Sequence, residues 1–85
     1  MAVKLTTEKM ATLGRVIRFH RKKARISATQ LALIAGIGKT ALYDIEQGHA
    51  GCRMETLMKI CSALNITITL DGPLMHEFEV TDATD

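Results

Sequence analysis

The chain has 85 residues, 47% of them apolar and none of them tryptophan. This length limits the chain to one domain with a narrow stability margin, and this composition suits a small helical core better than an aromatic-rich sandwich. Its formal net charge of +2 combines an acidic end with a basic body, because residues 71–85 carry five acids and no base, and residues 1–70 carry 11 bases and four acids. A net +7 over residues 1–70 is typical of a nucleic-acid-binding protein, although a solvated surface gives the same count.

Residues 7–24 are predicted to form the first helix, with Thr7 as a suitable N-cap. Its apolar residues lie on one stripe at helical spacing: Met10, Leu13, Ile17 and Ala24. The basic residues gather near its end, where the helix dipole favours positive charge. Among them, Lys22 is a candidate contact to the DNA backbone.

The stretch "ISATQLALIAG" predicts a second helix that Ser27 caps and Gly36 ends as a left-handed residue. Its inward residues are predicted to be Leu31, Ile34 and Ala35. A third helix follows from about Lys39 to Gln47, with Leu42 and Ile45 as its inward pair and Gly48 as its stop.

Two short helices joined by a three-residue turn, residues 36–38, are typical of a helix-turn-helix, whose second helix enters the major groove of DNA. The edge that would face base pairs carries four side chains: Lys39, Thr40, Tyr43 and Asp44. Lysine can bind phosphate or guanine, and aspartate can accept from a cytosine amino group. A plain helical hairpin with a solvated face is the alternative.

A fourth helix is predicted near residues 54–64, with Arg53 at its start as a further phosphate contact and His49 as an ordinary loop residue before it. The following "NITITL" has the chemistry of a strand. Five residues form the predicted strand: Ile66, Thr67, Ile68, Thr69 and Leu70. An internal hairpin through "DGP" to "HEFEV" could pair it, but antiparallel pairing with a second copy is the better solution, because "HEFEV" offers a poor apolar face.

The sequence therefore predicts an all-α domain of four helices over residues 1–65, a short C-terminal β-strand over residues 66–70 that pairs across a homodimer, and an acidic, flexible tail over residues 71–85. Two cysteines do not make a disulfide framework, and their spacing from His49 does not indicate a metal site. No cofactor is expected, and no nucleophile-base pair indicates an enzyme. Without an apolar leader or a bilayer-spanning segment, the expected location is the cytoplasm.

From Leu13 to Leu64 the chain resembles the Cro/cI-type helix-turn-helix family, also called the xenobiotic-response-element family, whose fold is lambda-repressor-like. Arg21, Ser27, "LALIAGIGKTALYDIEQG" and "TLMKICSALN" carry the resemblance. It implies a partly buried ion pair between Arg21 and Glu46, which would leave neither residue free for DNA.

Two positions depart from the family pattern. Ala28 replaces a phosphate-binding glutamine, whose role would pass to Thr29 or Gln30. Arg25 occupies a turn position that is often glycine, which implies either a left-handed residue or a reshaped turn. The residues expected to bind DNA are Lys22, Gln30, Gly38, Lys39, Thr40, Tyr43, Asp44 and Arg53.

Small size and the ending "ALNITITL" are most similar to the HipB-like antitoxins within this family. The resemblance implies a homodimer that binds a palindromic operator in double-stranded DNA, represses its own operon and binds a HipA-type kinase toxin. A phage-type repressor without a toxin is one alternative. A protein-interaction module that inhibits a partner and binds little DNA is the other.

Overall fold

The computed structural model describes residue 3, residues 9–49 and residues 51–84, the last four by their backbone alone. This part of the chain contains five α-helices and no β-strand. The helices are α1 (Met10–Lys23), α2 (Ala28–Ala35), α3 (Lys39–Glu46), α4 (Met54–Ala63) and α5 (Met75–Thr84). Helices α1 to α4 lie where the sequence predicts four helices, whereas the N-cap predicted at Thr7 lies outside the described residues.

Local sequence determines where α2 begins and ends. The Ser27 hydroxyl accepts a hydrogen bond from the Gln30 N–H (3.1 Å), and the Gln30 amide oxygen accepts one from the Ser27 N–H (2.8 Å). This is a complete capping box. At the other end, Gly36 has a φ of +71°, a left-handed conformation that glycine adopts without steric strain. Both predicted boundaries of α2 are confirmed.

The core is built from the inner faces of α1 to α4. Each of these helices supplies one large side chain that is fully buried: Ile17, Leu31, Leu42 and Ile60. The remaining buried side chains extend the same cluster: Leu13, Ala32, Ile45, Leu57 and Cys61. Burying one Leu or Ile contributes roughly 1.5–3 kcal/mol, so the four helices stabilise one another.

The inward position predicted for Ile34 on α2 is wrong, because its side chain is 62% exposed while that of Ala32 is 4% exposed. The buried Leu31 and Ala32, with the half-buried Ala28 and Ala35, place the centre of the inner face between Leu31 and Ala32. At about 100° per residue, Ile34 lies about 110° from that centre. Ile34 is three residues after Leu31, which is a helical spacing, but it lies on the flank of Leu31 that faces away from Ala32 and the core.

Helix α1 crosses the end of α3 at very short range. Gly14 is buried, and a Cβ atom added to it would meet the carbonyl oxygen of Ile45 and lie 2.7 Å from that of Glu46. Gly48, with a φ of +79°, is equally close to α1, since a Cβ atom there would lie 2.7 Å from the Cα of Ala11. The two glycines thus permit close backbone approach that fixes α3 against α1.

The chain after α4 leaves the core without forming a strand. Asn65, with a φ of +58°, ends α4, and the N–H of Ile66 donates to the Cys61 carbonyl oxygen at 2.8 Å. Residues 66–72 have no regular secondary structure, and Ile68 and Leu70 are exposed. The strand predicted over residues 66–70 is not formed within one chain, and its pairing with a second copy stays a prediction.

Helix α5 corrects the predicted number of helices from four to five. It lies within residues 71–85, predicted as an acidic tail, and includes the "HEFEV" stretch that was the alternative second strand. Phe78 and Val80 are exposed, as are Glu77 and Glu79. Glutamate favours helix over strand, and no neighbouring strand offers "HEFEV" an edge to pair with in the described residues.

Candidate nucleic-acid interface

A three-residue turn, residues 36–38, joins α2 to α3. Within it, the N–H of Ile37 donates to the Ala32 carbonyl oxygen at 3.0 Å, which closes the end of α2. Gly38 has an extended backbone and begins α3 without a side-chain cap. A backbone can approach closely at such a residue because no Cβ is present. The turn therefore separates the two helices and leaves the first turn of α3 open to solvent.

The outer side of α3 is polar, and we call its four side chains the recognition face: Lys39, Thr40, Tyr43 and Asp44. The first three are exposed, with Tyr43 at 59%, and Asp44 is half-buried. Leu42 and Ile45 are buried on the opposite side. An ammonium group, two hydroxyls and a carboxylate lie within two turns of one helix, and base edges in the major groove present complementary acceptors and amino groups.

Beside the recognition face, a cleft of about 380 Å³ is bounded by α3, the loop after it and the start of α4. Its polar lining consists of Asp44, His49, Arg53 and Thr56. The structure thus brings Asp44 and Arg53, both predicted to bind DNA, to one cleft. It adds His49, whose Nδ1 lies 3.2 Å from Asp44 Oδ1. Gly48 is the residue in the sequence that could have indicated this contact, because a glycine at the end of α3 lets the chain turn back towards the helix.

Arg21 of α1 and Glu46, the last residue of α3, form a bidentate ion pair. Arg21 Nε lies 2.8 Å from Glu46 Oε2, and Nη2 lies 2.9 Å from Oε1. The remaining Arg21 nitrogen, Nη1, donates to the Ile26 carbonyl oxygen at 3.1 Å. The two side chains are 12% and 6% exposed. Both are therefore occupied in the fold and unavailable to DNA.

The hydrogen bonds from Glu46 raise the pKa of Arg21, against the opposing effect of burial, and its negative charge raises that pKa further. A folded-state pKa above the unfolded one favours the protonated side chain in the folded protein. The resulting stabilisation is fully present below the unfolded pKa and is lost only as the pH rises through the folded one. Titration of Arg21 therefore leaves stability unchanged from acidic to mildly alkaline pH.

Two further predicted contact residues lie on α1 and α2. Lys22 is exposed in the last turn of α1. Gln30 is exposed, and its amide oxygen is held by the Ser27 N–H, which leaves its amide NH₂ free to donate to a phosphate oxygen. Between them, Arg25 has a φ of +60°, so this turn contains a left-handed arginine rather than a reshaped backbone.

Within the described ranges, no three His, Cys, Asp or Glu side chains are placed to hold a metal ion. No helix in that part of the chain combines the length and apolar character needed to cross a bilayer. Cys52 is half-buried and Cys61 is buried, both as free thiols. Burial, and secondarily the nearby Cys52, raise the pKa of Cys61, which makes it a weak nucleophile.

Comparisons with known proteins agree with this geometry. Residues 17–69 match the family described as Cro/C1-type HTH DNA-binding domain. The HTH-type transcriptional regulator SlrR of Bacillus subtilis (strain 168) is 36% identical over 58 residues, which are 67% of this chain and 38% of SlrR. The chain thus spans well under half the length of this curated relative.

Solved structures share the fold. The restriction-modification controller protein C.AhdI from Aeromonas hydrophila has a TM-score of 0.65 at 22% identity, over 71% of this chain and 91% of that chain. A chain from a HipA-HipB-O2-O3 complex has a TM-score of 0.71 at 19% identity, over 85% of this chain and 99% of that chain. At these identities the likeness shows the fold alone.

Proposed function

Because the chain belongs to the family of Cro/C1-type helix-turn-helix DNA-binding domains, we propose that it is a sequence-specific transcriptional repressor that acts by occupying an operator. The recognition face carries this proposal: four polar side chains project from α3, while Leu42 and Ile45 are buried behind them. Occupation of a promoter requires no cofactor. The protein would act in the cytoplasm, where both thiols stay reduced.

Lys39→Ala combined with Thr40→Ala is expected to weaken binding to the operator by about 1–3 kcal/mol for each good base interaction that the substitutions remove. Both side chains are exposed, so the free energy of unfolding should change little. Fluorescence anisotropy against the operator and a scrambled duplex measures the effect. Lys59→Ala, which removes an exposed lysine of α4 paired with Glu55, is the matched control and should bind like the parent.

Lys22→Ala separates backbone binding from base recognition. Removal of a phosphate interaction should weaken operator and scrambled duplexes alike and reduce the salt slope by about one. The double variant of α3 should instead lose affinity mainly for the operator. Equal losses of affinity on both duplexes for the double variant would contradict base reading by α3.

We further propose that the protein is a homodimer whose strands, residues 66–70, pair antiparallel across a two-fold axis. No hydrogen bond joins the N–H groups of residues 67–70 to the rest of the described chain, and unpaired backbone groups of an apolar segment favour a partner strand. Ile66 already packs on the core, while Ile68 and Leu70 are 48% and 82% exposed. A second copy would cover these two side chains.

Such a dimer would bind a palindrome whose half-sites are about 34–36 Å apart, or a multiple of that distance. Ile68→Asp, and truncation after Asn65, should yield monomers in sedimentation and lose affinity for the palindrome. Ile34→Asp places the same charge at an exposed isoleucine of α2 and should stay dimeric, as should truncation after Leu70. If the first two variants remain dimeric and bind as the parent does, the strand is not the dimer element.

The finer assignment within this proposal is a HipB-like antitoxin that autoregulates its promoter and binds a HipA-type kinase toxin. The fold that the protein shares with a chain of the HipA-HipB-O2-O3 complex supports this assignment.

A second support is a set of exposed apolar side chains outside the recognition face. Four of them lie on α2 and α4: Leu33, Ile34, Met54 and Met58. Of these, Ile34 and Met58 line one surface depression. Adjacent exposed apolar side chains are typical of protein-binding surfaces, which equally favours the second candidate, an interaction module with little DNA binding. A kinase-like reading frame beside the gene would support the antitoxin, and operator binding separates it from the interaction module.

A further inference from the structure

His49 is bound twice to Asp44 of the recognition face. Its backbone N–H donates to the Asp44 carbonyl oxygen at 3.0 Å, and its Nδ1 lies 3.2 Å from Asp44 Oδ1. The first bond sets the path of the loop after α3. The second orients the Asp44 carboxylate, which is the one negatively charged group of the recognition face.

The side-chain bond has a defined direction. An ionised carboxylate can only accept hydrogen bonds, so the imidazole must donate from Nδ1. This bond occupies Asp44 Oδ1 and leaves Oδ2 free to accept. Because the side chains of His49 and Asp44 are 61% and 50% exposed, the bond competes with water and contributes little to the stability of the free protein.

The residue before His49 is held against both α1 and α3. Gly48, in its left-handed conformation, approaches the backbone of α1 at Ala11, and the N–H of Gly48 donates to the Ile45 carbonyl oxygen at 3.0 Å. His49 therefore has a fixed position relative to α3. A positioning contact requires this rigidity, since a mobile partner would not restrict the rotamers of Asp44.

We propose that His49 is a specificity-determining positioning residue: it fixes the Asp44 carboxylate so that Oδ2 accepts a hydrogen bond from a base amino group in the major groove. The amino groups available there are N4 of cytosine and N6 of adenine. The inference rests on the proposed operator binding and adds to it the base class read at one position.

DNA binding strengthens the need for this contact. An unpaired carboxylate at a DNA surface faces repulsion from phosphates, and a freely rotating one must lose its rotamer freedom on binding. A bound imidazole N–H offsets part of the charge and favours one rotamer of the carboxylate. When DNA excludes water from the contact, the surrounding dielectric falls and the hydrogen bond becomes stronger.

The test uses the full chain and a duplex selected by the parent protein from a random library. Affinities are then measured for that duplex and for each single base-pair change. The parent should prefer one amino-bearing base, cytosine or adenine, at the position that loses its preference in Asp44→Ala. His49→Ala should reduce discrimination at that position roughly tenfold or more and leave discrimination by Lys39 and Thr40 unchanged.

Two conservative variants separate positioning from a general loop role. His49→Asn places an amide NH₂ near the site of Nδ1 and should retain base discrimination. His49→Gln places the NH₂ near the site of Nε2, away from Asp44, and should lose base discrimination. In an Asp44→Ala background, His49→Ala should have no further effect. His76→Ala removes an exposed histidine of α5 and serves as the matched control.

Uniform weakening across all base changes in His49→Ala would show a phosphate contact and overturn the inference. Unchanged discrimination, or an equal loss with and without Asp44, would overturn it as well. If the parent selects no duplex, the proposed function fails, and the inference fails with it. If the parent selects a duplex that Lys39→Ala with Thr40→Ala weakens but His49→Ala does not, only the inference fails.

Discussion

Glu46→Ala is expected to lower the free energy of unfolding by up to about 3–5 kcal/mol, because it leaves the partly buried Arg21 guanidinium without its carboxylate. The pair is bidentate, at 2.8 and 2.9 Å, and its side chains are 12% and 6% exposed. Total stabilities of natural domains are about 5–15 kcal/mol, so the loss is large for a chain of 85 residues. Urea unfolding of the purified variant measures it.

Two further variants show whether the loss comes from the partly buried Arg21–Glu46 pair. Glu46→Gln keeps a hydrogen-bond acceptor without the charge and should lose less than Glu46→Ala. Glu55→Ala breaks the pair with Lys59, which spans 3.4 Å and is 47% and 77% exposed, and should cost under about 1 kcal/mol. If Glu46→Ala and Glu55→Ala unfold at the same urea concentration, the Arg21–Glu46 pair is solvated in solution.

Gly14→Ala is expected to destabilise the fold by about 1–3 kcal/mol or more, as overpacking of a filled interior does. The sign of the change in stability distinguishes a close crossing from an ordinary helix position, because replacing a glycine by alanine inside a helix ordinarily stabilises a protein by about 1 kcal/mol. Here the added methyl group would meet the carbonyl oxygens of Ile45 and Glu46, which are backbone atoms and cannot rotate away. Thermal and urea unfolding both report the change.

Gly38→Ala is the matched control for Gly14→Ala. Gly38 has a negative φ of −71°, and an added Cβ atom would have no neighbour within 4 Å. Its effect on stability should stay under about 1 kcal/mol, because alanine is a poorer N-cap than glycine but also restricts the unfolded chain, which offsets part of that loss. A Gly14→Ala protein as stable as the parent would mean that α1 can move away from the end of α3 without loss.

Features specified by neighbouring residues could be read from the sequence. The Ser27 N-cap, the left-handed Gly36 and the stop at Gly48 all depend on a few consecutive residues, and the predicted helix boundaries follow from them. The buried Leu42 and Ile45 follow from helical spacing alone. The same spacing predicted the recognition face, because the residues that do not share the buried side of α3 must lie on its outer side.

Features that depend on tertiary placement could not be derived in this way. Ile34 has helical spacing from Leu31, but the position of the neighbouring helices decides which side of Leu31 is covered. Nothing local marks Gly14 as a crossing point, because the atoms it touches lie more than 30 residues away. The pair of Arg21 with Glu46 is separated by 25 residues and came from the family resemblance.

Helix α5 and the contact of His49 with Asp44 show a second limit. The alternation in "HEFEV" resembles a weak strand, but glutamate favours a helix and the described residues contain no neighbouring strand. The His49 contact needs the path of the loop after Gly48, which periodicity does not describe. Patterns predict elements well, and they predict contacts between an element and a loop poorly.

The division of α3 into a buried and an exposed side has an evolutionary consequence. Attachment of the helix depends on Leu42, Ile45 and Glu46, none of which belongs to the recognition face. If α3 reads base pairs as proposed, substitutions at Lys39, Thr40 and Tyr43 would therefore redirect the protein to a new operator with little loss of fold. Asp44 would differ under the inference for His49, because replacing it removes the carboxylate that His49 contacts. A lineage that acquires a new base at that position is then expected to replace the two residues together.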